Sequence, residues 1–217
     1  MQQDVIAVFP LPNVIFFPQT NLPLHIFEPR YCEMIRDTLE NKQMIGMFLL
    51  QPGWQDDYYG NPPIYSVGCA GELIHVENLP EGQFNILLRG ITRVRALETV
   101  QETPYRKVRV HILPEKTSAR LKPLKEMKKS LLSKFKIFTT FVKNLEFNLT
   151  EDSSLVEISH SIASSLQLDP EEKRRLLEVD DSFERAKAIH EHLSGAVTVL
   201  KLTANFGHLR PTDPNVN

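Results

Sequence analysis

At 217 residues, with 41% hydrophobic and 24% charged side chains and a formal net charge of −2, the chain has an ordinary globular composition and enough length for a substantial core. That balance gives no overall bias toward nucleic acid or anionic membrane, so partners have to be argued from local features. The two cysteines, Cys32 and Cys69, lie far apart without metal-ligand spacing, which argues against a disulfide scaffold and a metal site. No apolar run approaches the roughly 20 residues of a membrane-spanning helix, and Asp4 with the following prolines breaks the pattern of a signal peptide. Cytoplasmic residence with reduced thiols is the expectation.

The first segment, 9–31, is apolar yet carries proline at positions 10, 12, 18, 23 and 29. Fixed φ angles and missing N–H donors predict short extended pieces joined by rigid corners, with neither a continuous helix nor a central strand. Pro29 then sits where a first helical turn tolerates it, and Tyr31, Ile35 and Leu39 follow at helical spacing, so one short helix interrupts this half. Strands are predicted over 44–50, 64–77, 84–89, 91–100 and 106–113, with Val108, Val110 and Ile112 on one face and Lys107, Arg109 and His111 on the other. Asn78 to Gly82 reads as a hairpin turn, and Gly90 as a bulge or sharp bend between two strand-like runs.

From Ser118 the apolar period changes. Leu124, Met127, Leu131, Phe135, Phe138, Val142 and Leu145 mark one face of a long helix. Thr150 is the expected cap of the next helix, with Leu155, Ile158, Ile162 and Leu166 on its apolar face, and Asp169-Pro170-Glu171-Glu172 is a strong start for another. A last helix is expected from Asp181, burying Ala186, Ile189, Leu193, Val197 and Leu200, followed by a frayed polar tail.

The opening run Pro10-Leu11-Pro12-Asn13, Phe17-Pro18 and Leu22-Pro23-Leu24-His25-Ile26-Phe27-Glu28-Pro29-Arg30-Tyr31 closely resembles the amino-terminal signature of the Lon protease substrate-binding domain. Pro63 to Gly71, Phe84 to Gly90 with Arg93, and Glu171 to Glu178 resemble later parts of the same family, so the similarity spans nearly the whole chain. It implies an α+β protein: a PUA-like β pseudo-barrel with one short helix over 1–116, a C-terminal α-helical bundle over 117–206, and a flexible tail over 207–217. It also implies recognition of unfolded or damaged polypeptide near proteolysis or protein quality control, with a protease or ATPase as further partner. Full-length Lon continues into ATPase and peptidase domains, but no G-x-x-x-x-G-K-[ST] loop occurs here. If it is the whole gene product, the chain resembles the stand-alone proteins of this domain, and if it is truncated, the front of a protease; a natural terminus in the polar tail, no catalytic residues and no cofactor are the expectation.

Chemistry-bearing residues are sparse. Cys32 and Cys69 lack an activating motif, Ser66 and Ser194 sit in no G-x-S-x-G turn, and His190 and His192 are two apart on a helix, facing different sides. His25 is expected to pack or hydrogen-bond, and Glu28 with Arg30 to form a structural ion pair. Candidate binding residues are the loop aromatics Phe16, Phe17, Trp54, Tyr58 and Tyr59, whose large contact area suits apolar stretches of polypeptide and equally suits capping the barrel. The other candidate is a basic stripe, Lys122, Lys129, Lys136 and Lys143, repeating every seven residues opposite the apolar face. An ordinary solvated helix face and an RNA-binding surface are both open for it.

Overall fold

The computed structural model describes residues 3–142 and 149–206. Six strands, β1 (Gln3–Leu11), β2 (Asn21–Ile26), β3 (Ile45–Leu49), β4 (Val67–Asn78), β5 (Phe84–Gln101) and β6 (Lys107–Leu113), form one mixed sheet in the order β2-β5-β4-β3-β1-β6. β6 also pairs with the second half of β5, so five of the strands close on themselves while β2 lies along the first half of β5. Closure removes most of the exposed edges that an open sheet of this size would present.

The two proline-containing strands show how the sheet accommodates missing donors. Among the described residues β2, with Pro23, pairs with β5 alone. β1 corrects the expectation that no central strand runs into this segment, since it lies between β3 and β6. Pairing with β6 runs from Gln3 to Ala7, and Val8 N–H donates to the Arg106 carbonyl. Two residues on, Pro10 faces the same side beyond that partner, where its absent N–H breaks no ladder bond.

Alternation along β1 sends Ile6 and Val8 into one cluster and Ala7 and Phe9 into another. The first cluster draws from all five closed strands, with Phe48, Ala70, Val94, Val108 and Val110, and fills the barrel. The second lies under α1 (Pro29–Asn41), which has Pro29 in its first turn and buries Tyr31, Cys32, Met34, Ile35 and Thr38. Leu39, expected on that face, is exposed because the buried stripe turns toward Thr38. The 78–82 turn joins β4 to β5 as expected, and a register shift opposite Gly90 and Thr92 bends β5.

Four more helices, α2 (Leu121–Phe141), α3 (Leu155–Ser165), α4 (Pro170–Glu178) and α5 (Ser182–Phe206), share the third core. Leu131, Phe135, Phe138, Ile158, Ile162, Ile189 and Leu193 are buried there, each contributing about 1.5–3 kcal/mol of transfer free energy. Phe17, Val67 and Leu113 enter this cluster from the barrel side, so barrel and helices pack continuously. Asp169 caps α4 by accepting from Glu172 N–H at 2.8 Å, and Asp181 caps α5 through Phe183 and Glu184. Thr150 does not cap α3. Ser154 accepts from Glu157 N–H instead, and the Thr150 hydroxyl closes a local turn by accepting from Asp152 N–H. Leu145 and the tail beyond 206 lie outside the described residues.

Candidate functional site

A cleft of about 260 Å³ opens where β1 ends, β2 enters α1, and two loops meet above them. Phe9 to Pro12 form one wall, Leu24, His25, Phe27, Glu28, Arg30 and Tyr31 a second, and Tyr58 to Pro62 with Glu102 to Arg106 complete it. The first segment, interrupted by its prolines, thus contributes Phe9, Leu11, Leu24 and Phe27 to one concave surface.

Arg30 organises the upper loop. Its guanidinium donates to the carbonyls of Tyr58 (3.1 Å), Tyr59 (3.1 Å) and Gly60 (3.3 Å), and Nε donates to Glu28 Oε2 at 3.1 Å. Tyr58 Oη returns a bond to Glu28 Oε1 at 2.8 Å, and that bond leads the factors raising the tyrosine's pKa. The arginine plane lies 4.7 Å from the Tyr31 ring centroid and 5.8 Å from that of Tyr58. The expected Glu28–Arg30 ion pair is therefore present, and it clasps a loop as well.

Below it, Arg106 donates from Nε to Asn61 Oδ1 (3.1 Å) and from Nη2 to the Pro62 carbonyl (2.8 Å). Burial raises the Tyr31 hydroxyl to about 12, so it keeps its proton. Tyr105 bonds Asp37 at 2.6 Å, and burial followed by that bond raises its pKa. At the mouth, His25 Nδ1 bonds Asn85 at 2.9 Å and stacks on Phe27 at 5.9 Å, while Phe27 and Tyr59 are 59% and 86% exposed. Two exposed aromatics over a cleft lined by both apolar and charged side chains mark it as the candidate binding surface.

A family model described as the ATP-dependent protease La (LON) substrate-binding domain matches residues 5–195. The chain belongs to the Lon substrate-binding domain family. Lon protease 2 of Myxococcus xanthus is 27% identical over 207 residues, covering 92% of this chain and 24% of that protein. The Lon protease of Anaeromyxobacter dehalogenans is 25% identical over 206 residues, with the same coverage of each. The chain thus spans about a quarter of the length of the curated relatives it matches. Among solved structures, a Lon N-terminal domain protein from Xanthomonas campestris superposes with a TM-score of 0.64 at 20% identity, over 85% of this chain and 95% of that one. The N-terminal domain of the Mycobacterium avium complex Lon protease gives 0.63 at 18%, over 88% and 98%. Both show the Lon N-terminal fold.

Within this Lon-family fold the loop aromatics separate. Tyr58 and Tyr59 line the cleft. Trp54, 5.6 Å from the Tyr58 ring, faces an open groove with Tyr65, Pro12 and the start of α4. Phe16 and Phe17 are a correction: their loop folds inward, leaving them 3% and 0% exposed in two different cores, so neither meets a ligand. Phe27, Tyr31 and Arg106 also line the cleft, and none was among the candidates read from the sequence. Phe27 and Tyr31 stood in the signature itself, but nothing local marked which of its aromatics line a cleft, and Arg106 joins them through the β1–β6 pairing.

Lys122, Lys129 and Lys136 are exposed on α2, and Lys143 lies outside the described residues. Both cysteines are buried, and burial raises their pKa values, which keeps them as inert thiols. Among the described residues no group of His, Cys, Asp and Glu has the arrangement of a metal site, and no helix is long and apolar enough to cross a membrane.

Proposed function

We propose that this Lon-family domain is a non-catalytic module that recognises exposed apolar stretches of unfolded or damaged polypeptide in the Phe27–Tyr59 cleft, in the service of proteolysis and protein quality control. The observation carrying this is that the signature segment lines the cleft and leaves Phe27 and Tyr59 uncovered at its mouth. Aromatic side chains of this kind dominate binding energy at small rotamer cost. Catalysis would belong to a protease or ATPase partner, because the chain has no phosphate-binding G-x-x-x-x-G-K-[ST] loop and its thiols are buried. In this reading the closed sheet over 1–116 is a PUA-like pseudo-barrel, the helices over 117–206 are a bundle stabilising it, and the protein works in the cytoplasm without a cofactor.

A labelled, intrinsically unfolded protein fragment titrated with the protein tests this by fluorescence anisotropy. Saturable binding that survives moderate salt, and that Phe27→Ala or Tyr59→Ala weakens by about 1–2 kcal/mol with unchanged thermal unfolding, is expected. Full affinity in both variants overturns the assignment.

A second reading has one specific observation behind it. Lys122, Lys129 and Lys136 stand exposed on α2 and form no ion pair among the described residues. A single-stranded RNA bound there would be lost steeply with salt through counterion release and by charge reversal at Lys129 and Lys136.

A further inference from the structure

Arg93, Arg106 and Arg185 are the buried arginines among the described residues. Arg93 is neutralised by Glu115 and Asp180, and Arg185 by Glu115. Arg106, 8% exposed, differs: both acceptors it bonds, the Asn61 side chain and the Pro62 carbonyl, are uncharged, and it closes no ion pair among the described residues. Glu102 and Asp57 act on it only at longer range. A buried guanidinium stays charged, and leaving it without a counterion is costly.

Tyr31, 7% exposed, also lines this cleft, and its hydroxyl has no hydrogen bond among the described residues. Among the described residues the buried side-chain nitrogens and oxygens without partners are both on His160, so the unbonded Nη1 of Arg106 and the hydroxyl of Tyr31 are not sealed, and both residues line the cleft. Arg30 does not compete, because Glu28 and three loop carbonyls occupy its donors. Two unfilled donors, one charged, sit beneath exposed aromatics.

Resting on the cleft reading above, we infer that the cleft binds a carboxylate of the polypeptide at Arg106 and Tyr31, with an adjacent aromatic or aliphatic side chain held by Phe27 and Tyr59. The substrate class is thereby narrowed to apolar segments bearing an acidic residue or ending in a free carboxyl-terminus. The charge-assisted bond supplies the counterion that the fold withholds from Arg106.

Calorimetric titration with short Gly/Ser peptides tests this. One pair carries a central Phe followed by Asp or by Asn, with both termini blocked; the other ends in Phe with a free carboxylate or a carboxamide. The carboxylate member of at least one pair is expected to bind about tenfold tighter than its neutral counterpart, and the pair that shows it identifies the source. Tyr31→Phe, which keeps the ring, and Arg106→Met should each shrink that ratio, whereas Lys129→Glu should leave it intact. Equal affinities within both pairs, with binding still weakened by Phe27→Ala, would overturn the carboxylate assignment while leaving the cleft in place. A ratio abolished by Lys129→Glu would also overturn it, by moving the preference to α2. Binding of every peptide that ignores Phe27→Ala would overturn both readings together.

Discussion

Arg93 of β5 and Arg185 of α5 grip the same carboxylate. Arg93 Nε donates to Glu115 Oε1 at 2.7 Å and Arg185 Nη2 donates to Oε2 at 2.5 Å, with both guanidinium side chains fully buried. Arg93 also reaches the carbonyls of Leu177 and Val179 and the Asp180 carboxylate, so strand, barrel exit and two helices meet at one point.

Removing the shared anion leaves buried Arg185 without its carboxylate partner and facing Arg93, which keeps Asp180. Glu115→Gln is expected to destabilise the protein by about 3–5 kcal/mol in urea denaturation, the range for breaking a buried pair from one side. A loss below about 1 kcal/mol would mean that the apolar junction of Phe17, Val67 and Leu113 holds barrel and helices together by itself.

His160, beside this cluster, has no exposure and no hydrogen-bond partner on either ring nitrogen. Burial, then Arg185 and Arg93, lower its pKa from 6.5 to about 2; Glu115, 3.6 Å away, does not offset them because both its oxygens already serve the arginines. The unfolded chain therefore takes up a proton that the folded chain refuses. Nothing is lost above the unfolded value of 6.5, and stability falls as pH drops from there toward about 2, by at most about 1.4 kcal/mol per unit. His160→Leu should flatten this decline without lowering stability at neutral pH, and a slope unchanged in that variant would assign the acid sensitivity to other groups.

Gly90 and Gly195 form a matched pair of opposite sign. A Cβ on Gly90 would lie 2.2 Å from the Phe17 carbonyl oxygen, whereas one on Gly195, on the exposed side of α5, meets nothing within 4 Å. Gly90→Ala should cost about 1–3 kcal/mol through forced backbone movement. Gly195→Ala should gain up to about 1 kcal/mol from helix propensity. Thermal unfolding of the two variants checks both signs, and equal effects would contradict the close approach at Gly90.

What the sequence disclosed follows from the range of the forces involved. The Asp169 and Asp181 caps, Pro29 in a first turn and the alternation of β6 are local, and each was legible within a few residues. The α3 start was misplaced by four positions because Thr150 and Ser154 offer the same chemistry, and packing of Leu155 and Ile158 selects between them. The cleft was only half visible. Tyr58 and Tyr59 betrayed themselves by loop composition, but Phe16 and Phe27 are alike in type and context, and only closure of the sheet decides that one is buried and the other exposed.

Arg30 is the residue on which the cleft's upper wall depends, holding three consecutive carbonyls with a single planar fork. Arg30→Ala should release 58–60 from α1 and raise amide exchange there, while exchange in the barrel strands stays as it was. Arg30→Lys should fail to restore protection, since a point ammonium cannot reproduce the fork that spans Tyr58 to Gly60. If the loop is a binding element, polypeptide affinity should fall in both variants by about 1–3 kcal/mol, the range for hydrogen bonds to a charged group. Faster exchange with undiminished affinity would instead show that Tyr59 works from a mobile loop, and the ordered wall would then contribute shape without contributing binding energy.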